Sequence, residues 1–319
     1  MVFLSNILLL VATTIAAPAA DFERRSGENC LADIIAARGV EQPHMERRAS
    51  WSYEGESGVD HWGKFNTVCE KGEYQSPINF EGEKFTIKEK PKLEWASLTK
   101  PFEFLNNGHT VQLQLKQSTP TLLSHQINNL DYIVQQVHFH SPSEHHIDEK
   151  YFELEAHFVH ASADGKLNVI GIFFEIGEPS PWIAQFVDNI PATANATTQV
   201  QSLDMTPVIT AIGDAEFFSY TGSLTTPPCT EGVLWLVARK PLTISQEQLG
   251  KLTKVMPFNS RTTQANKSGD EEGHEDGHDG AVTSPTVSAK VNVKASSAVS
   301  SFGAVIGGLI VALAVSLEL

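Results

Sequence analysis

His138 and His140 are separated by a single residue, and His157 follows in the next apolar stretch. On a β-strand, residues i and i+2 project from one face. His138-Phe-His140 would therefore present two imidazoles side by side, while Val137 and Phe139 turn the other way. The stretch around His157 alternates too, with Glu155, His157 and Val159 on one face. Pairing of the two strands would bring His157 across from the first pair. Three imidazoles without a fourth protein ligand are the donor set of a catalytic zinc that keeps one position open for water. Glu155 and Glu144 are carboxylates able to accept from a ligand imidazole and fix its tautomer. His145, His146 and His160 crowd the same region, so spacing alone leaves the choice of ligands open. A copper–zinc superoxide dismutase also uses His-x-His on a sheet, but it needs more ligands, including a bridging histidine and an aspartate.

Such a site needs strands to carry it, and the middle of the chain supplies them. Phe102-Glu-Phe-Leu105 and Thr110-Val-Gln-Leu-Gln-Leu115 flank Asn106-Asn-Gly-His109, which is turn chemistry between alternating runs. Residues 131–140 and 153–160 alternate as well. Residues 168–176 form a continuous apolar run, the pattern of a strand buried on both faces, and 231–237 form another. Helical periodicity is confined to 182–189 and 246–255. The expected fold class is mainly β: a single domain built around a large, mostly antiparallel twisted sheet with a few short helices, spanning residues 50–265.

The flanks read differently. Residues 1–19 have a short apolar core ending in small residues, the build of a secretory signal peptide and too short to span a bilayer. Residues 20–49 carry the dibasic pairs Arg24-Arg25 and Arg47-Arg48 and read as a possible propeptide or disordered segment. Residues 266–297 are rich in acidic residues, Gly, Ser and His, and read as a solvated stalk in which His274 and His278 could bind a metal weakly. Residues 298–319 are an apolar tail preceded by small residues with nothing basic after it, the pattern of a glycosylphosphatidylinositol (GPI) lipid-anchor signal rather than of a retained span. The expected location is extracellular at the cell surface, anchored by lipid to the plasma membrane, or attached to the cell wall. With 23 Lys+Arg against 38 Asp+Glu, the net charge of −15 repels phosphates and excludes a basic nucleic-acid-binding face.

An oxidising compartment should pair two of the three cysteines. Cys30 lies in the peripheral segment, which favours Cys69–Cys229, a long loop for which the chain-entropy account gives about 4–5 kcal/mol. Asn195-Ala-Thr197 and Asn266-Lys-Ser268 match the N-glycosylation pattern.

The ordered blocks carry a family resemblance. Trp51-Ser-Tyr53 with His61-Trp62, Gln75-Ser-Pro-Ile-Asn79, Leu105-Asn-Asn-Gly-His109, Gln136-Val-His-Phe-His140 with Ser143-Glu-His145 and Glu155-Ala-His157, and Gly222-Ser-Leu-Thr-Thr-Pro-Pro228 with Trp235 resemble the α-class carbonic anhydrases over about 200 residues. The resemblance implies reversible hydration of CO2 to bicarbonate and a proton by zinc-bound hydroxide, with Zn2+ held by His138, His140 and His157. It implies that Thr225 accepts from the nucleophile and donates to Glu144, that Thr226 meets bicarbonate, and that Val159, Val169, Leu224 and Trp235 wall the CO2 pocket. His109 matches the proton carrier, Glu155 a carboxylate behind the ligands, and Gln136, Asn107 and Tyr53 polar positions that organise water. Cys69 and Cys229 fall at the family's extracellular disulfide positions. Ser141-Pro142 and Gln112 depart from commoner residues and alter the cavity wall.

Overall fold

The computed structural model describes residues 51–87, 91–115, 123–127 and 129–269. The signal-peptide, propeptide and lipid-anchor readings, Cys30, and all but the first residues of the stalk lie outside the described residues. Among those described, no helix is long and apolar enough to cross a membrane.

Thirteen strands are assigned: β1 Asn79–Phe80, β2 Thr86–Ile87, β3 Lys92–Trp95, β4 Phe102–Asn106, β5 Val111–Gln114, β6 Leu123–Ile127, β7 Leu130–His140, β8 His146–Ile147, β9 Leu154–Ser162, β10 Leu167–Ile176, β11 Thr197–Val200, β12 Phe217–Ser223 and β13 Glu231–Ile244. Eleven of them form one sheet with the path β11-β4-β5-β7-β9-β10-β13-β12-β2, to which β3 and β6 attach beside β7. Pairing within it is antiparallel except for β10 with β13. The short helices are α1 Val68–Lys71, α2 Thr206–Ile212 and α3 Gln246–Thr253. The mainly β expectation is met.

The side-chain pattern explains the layering. Val137, Phe139, Ala156 and Phe158 drop from β7 and β9 into a large core with Trp182, Phe186 and Leu236. Deleting any one of these rings would cost about 3–5 kcal/mol. The opposite face carries His138, His140 and His157, beside a second buried cluster that includes Val159, Val169, Leu224 and Trp235.

Strict alternation along β7 does not hold throughout. Tyr132 and Val134 point into the large core, and so do Val137 and Phe139. That change of parity needs one extra residue, and the register slips between Val134 and Gln136 as a β-bulge. The bulge is what puts Gln136, His138 and His140 on the face away from the core.

Two expected elements differ. Residues 182–189 form two successive 3-10 turns, Ile183–Gln185 and Val187–Asn189, rather than one helix. Strand β13 runs past 237 to Ile244, skipping register opposite Ile172–Phe174, where the segment Arg239-Lys-Pro241 faces the partner strand. A proline cannot donate to a ladder, so the strand survives it only by such an irregularity. Helix α3 starts on a capping box, the Ser245 hydroxyl accepting from Gln248 N and the Gln248 side chain accepting from Ser245 N. Cys69 of α1 is joined to Cys229 in the loop after β12, with Cα atoms 5.1 Å apart.

Candidate metal centre and its cavity

The register of β7 and β9 makes the site. His138 lies directly across from His157, and His140 across from Glu155. The three imidazoles are buried, with ring centroids 4.6–5.2 Å apart, and one ligand atom from each lies within 4.8 Å of the others.

Two rings have an outer nitrogen in a hydrogen bond, and the third has a carboxylate close to its outer nitrogen without a bond of strict geometry. His138 Nδ1 lies 2.9 Å from Gln136 Oε1 and His140 Nδ1 2.7 Å from the Asn259 carbonyl. His157 Nε2 lies 2.9 Å from Glu155 Oε1. Acceptors on those nitrogens place the protons there and leave lone pairs on His138 Nε2, His140 Nε2 and His157 Nδ1. His140 Nε2 is buried with no hydrogen-bond partner. An unpartnered buried acceptor is costly, and a metal ion removes the cost. Burial holds His138 well below the ordinary histidine range and, with the neighbouring His157, takes His140 down to about 3. Neutral imidazoles are what a metal requires. The residues present therefore fit zinc.

A second cluster, His145 with Glu155 and His157, is also close enough to bind an ion. Its donors are spent. His145 Nδ1 is 2.8 Å from Glu155 Oε1, and its Nε2 is 2.7 Å from the Tyr220 hydroxyl. The backbone N–H groups of Glu144 and His145 fill Glu155 Oε2. Burial pushes the Glu155 carboxyl up, but His145 and His157 together hold it well below the usual carboxylate range. His146 sits apart on β8 against Tyr151, and His160 lies on the core face of β9 against Trp95. The geometry thus brings His138, His140 and His157 together and leaves His146 and His160 apart from them. The letters His274-Glu-Asp-Gly-His278 spell a helical zinc motif, but they lie outside the described residues in a glycine-rich stretch.

Glu144 is fully buried, and burial raises its carboxyl to about 7 against the opposing pull of His157, the Arg261 backbone N–H and the Thr225 hydroxyl. The Arg261 N–H donates to Oε1 at 3.0 Å. Thr225 interacts with the same carboxylate, although Oε2 makes no bond of strict geometry. Thr226 follows, half-buried, in the loop between β12 and β13.

A row crosses four strands beside the ligands: Gln136 pairs with Val159, Val159 with Val169, and Val169 with Trp235. Leu224 joins their cluster, and Trp235 Nε1 is tied to Ser223 O at 3.0 Å. The expected apolar wall is thus contiguous with the imidazoles, the Trp235 ring lying 4.8 Å from that of His157.

His109 sits on the β4–β5 turn, its ring stacked on Trp51. Asn107 builds that turn, its Oδ1 accepting from His109 N and Thr110 N. Gly108 takes φ +87°, which a side chain would resist. Tyr53 keeps part of its ring open, but its hydroxyl is deep: burial and then the Glu144 charge raise its pKa well above the usual value.

Sequence reasoning passed over four residues. Gly171 faces His157 across the ladder, where a Cβ would come within 2.9 Å of Glu155 Oε1. A glycine inside an apolar strand was the available signal. Asn259, Arg261 and Tyr220 gave none, because their partners are far away in sequence.

The comparisons agree with this geometry. A family model described as eukaryotic-type carbonic anhydrase matches residues 57–269. The carbonic anhydrase of Pectobacterium atrosepticum is 39% identical over 221 residues, covering 67% of this chain and 86% of that protein. Among solved structures, the α-carbonic anhydrase of Thermovibrio ammonificans in complex with the inhibitor sulfanilamide has a TM-score of 0.62 at 32% identity, covering 68% of this chain and 96% of that one. The fungal α-carbonic anhydrase of Aspergillus oryzae has a TM-score of 0.62 at 32% identity, covering 67% and 92%.

Proposed function

Because this chain belongs to the eukaryotic-type carbonic anhydrase family, we propose how its own residues serve the family reaction and where the protein works. The protein is a zinc lyase that interconverts CO2 and bicarbonate. When bound, zinc supplies the Lewis acid that makes water a nucleophile near neutral pH, the general behaviour of carbonic anhydrases. His138, His140 and His157 hold it.

The remaining residues orient and shelter. Glu144, held by the Arg261 N–H, takes the Thr225 hydroxyl proton as a hydrogen bond. Thr225 then offers only lone pairs to the cavity, so it accepts from the attacking water and aims that water at carbon. CO2 is apolar and nearly featureless, and Val159, Val169, Leu224 and Trp235 give it an apolar surface beside the nucleophile. Thr226 receives bicarbonate on the loop side. One proton must leave per turnover, and His109, whose imidazole can both take up and give up a proton, carries it outward.

The observation that carries this reading is the set of three buried imidazoles with ligand atoms within 4.8 Å of one another, each with an acceptor within 3 Å of its outer nitrogen. The test is stopped-flow CO2 hydration with His138→Ala alongside. Zinc-dependent hydration lost in the variant supports the site; an intact rate in the variant rejects it.

The protein is also exported and lipid-anchored at the cell surface. The Cys69–Cys229 disulfide supports an oxidising compartment, and the apolar ends at 1–19 and 298–319 support export and anchoring. The domain is residues 50–265, with a stalk over 266–297. Of the two glycosylation motifs, Asn195 is exposed, whereas the Asn266 amide donates to Gln75 O and Thr221 O. Asn195 is the acceptor the contacts favour. Release from cells by a phosphatidylinositol-specific phospholipase tests the anchor, and sequencing of the mature N-terminus tests the cleavage.

A further inference from the structure

We propose that Asn259 is a positioning residue that braces the proton-carrying turn against the ligand strand. The inference rests on the reading of His109 as proton carrier.

Asn259 is fully buried, and its carbonyl and both polar atoms of its side chain are used. Its carbonyl accepts from His140 Nδ1 at 2.7 Å. Its Oδ1 accepts from Ser141 N at 2.9 Å. Its Nδ2 donates to Phe139 O at 2.8 Å and to His109 O at 3.1 Å. One side chain therefore touches the residues on both sides of a metal ligand and the backbone of His109.

The other two ligands are held from within their own strands, His138 by Gln136 and His157 by Glu155. His140 instead has its ring hydrogen bond with a residue from outside the sheet. The joint has a second half: Thr110 Oγ1 donates to Phe139 O at 2.6 Å and accepts from Phe139 N at 3.2 Å. The turn is thus fastened to β7 at Phe139 by Thr110 and Asn259 together. An amide suits the post because it donates twice and accepts at the same time. A proton carrier must keep a fixed spacing from the site it serves, since transfer through water falls away with misplacement.

Asn259→Asp keeps the size, the carbonyl and an acceptor for Ser141, and removes both donations. The variant is expected to bind one zinc per chain as the parent does, because His140 keeps its partner. Its kcat should fall about tenfold with kcat/KM within about twofold, since proton release follows the CO2 step. Imidazole buffer should restore kcat, because a free carrier replaces the displaced one. Independently of zinc, amide exchange at residues 107–110 should accelerate by about tenfold or more in the metal-free variant. Thr110→Val cuts the same joint from its other side and decides the matter if Asn259→Asp does not fold. Equal losses in kcat and kcat/KM, or unchanged exchange at the turn, would overturn the proposal. His109→Ala separates the two readings. If it leaves kcat intact, the carrier assignment itself fails; if it lowers kcat while Asn259→Asp does not, only the brace fails.

Discussion

The imidazole of His109 lies flat on the indole of Trp51, with ring centroids 3.9 Å apart and planes 11° from parallel. Trp51 in turn packs edge-on against Tyr53 and Trp62, so the histidine rests on an aromatic shelf built from the first described residues. A stacked pair of this kind is worth about 0.5–1.5 kcal/mol beyond its buried area. That is enough to bias a ring between two positions and small enough to let it leave.

Removing the shelf should therefore change kinetics more than stability. Trp51→Ala is expected to alter kcat by a few fold in weak buffer, with kcat/KM nearly unchanged and the difference vanishing in concentrated imidazole. Buffer-dependent stopped-flow measurements check this.

Gly171→Ala probes the space behind His157. The added methyl would meet Glu155 Oε1 at 2.9 Å, and that carboxylate already accepts from three donors and lies 2.9 Å from His157 Nε2. Overpacking of this kind costs about 1–3 kcal/mol, and disturbing a ligand's partner lowers metal affinity about 10–100-fold. Zinc affinity by competition with a chelator, set beside a denaturant melt, should show both losses.

Arg261 is a buried cation with neutral partners. Its guanidinium donates to Gln75 Oε1, Ser76 O and Cys69 O and lies over Trp62, and burial lowers its pKa to about 10. Arg261→Met would leave three buried acceptors unmet at about 1–3 kcal/mol each. A loss of at least about 3 kcal/mol in urea unfolding is expected, with slower CO2 hydration because the adjoining N–H holds Glu144.

Removing the metal should lower stability without unfolding the sheet. At free zinc a thousandfold above its Kd, binding contributes about 4 kcal/mol. Treatment with chelator is expected to lower Tm by several degrees while far-ultraviolet circular dichroism stays unchanged, and readdition of zinc should reverse the shift.

The glycosylation motifs give a separable test. Asn195→Gln should remove a glycan from protein secreted by a eukaryotic host, seen as a mass shift, with stability nearly unchanged. Asn266→Gln should leave the mass of the glycan unaltered and cost about 1 kcal/mol for each lost bond to Gln75 O and Thr221 O.

What the sequence displayed was local. His138, His140 and His157 were visible because strand periodicity is a short-range rule, and the turn at Asn106-Asn-Gly-His109 was visible for the same reason. The bulge at Gln135 was not, because it becomes necessary only when two partners demand opposite parities of one strand. Asn259 lies 119 residues beyond His140 and 150 beyond His109, and no pattern in sequence announces an amide that closes so wide a gap. Glu144 looked like one carboxylate among several until the Arg261 N–H and the Thr225 hydroxyl were seen around it.

The residues that finish the site are among the last of the domain to be made. When β7 and β9 have emerged from the ribosome, all three histidines are present, yet His140 still lacks its acceptor and Glu144 its amide. Both arrive together at 259–261. A chain cut short before that point would own every ligand and still be incompetent, so activity in a nascent chain would report that translation of the domain is complete.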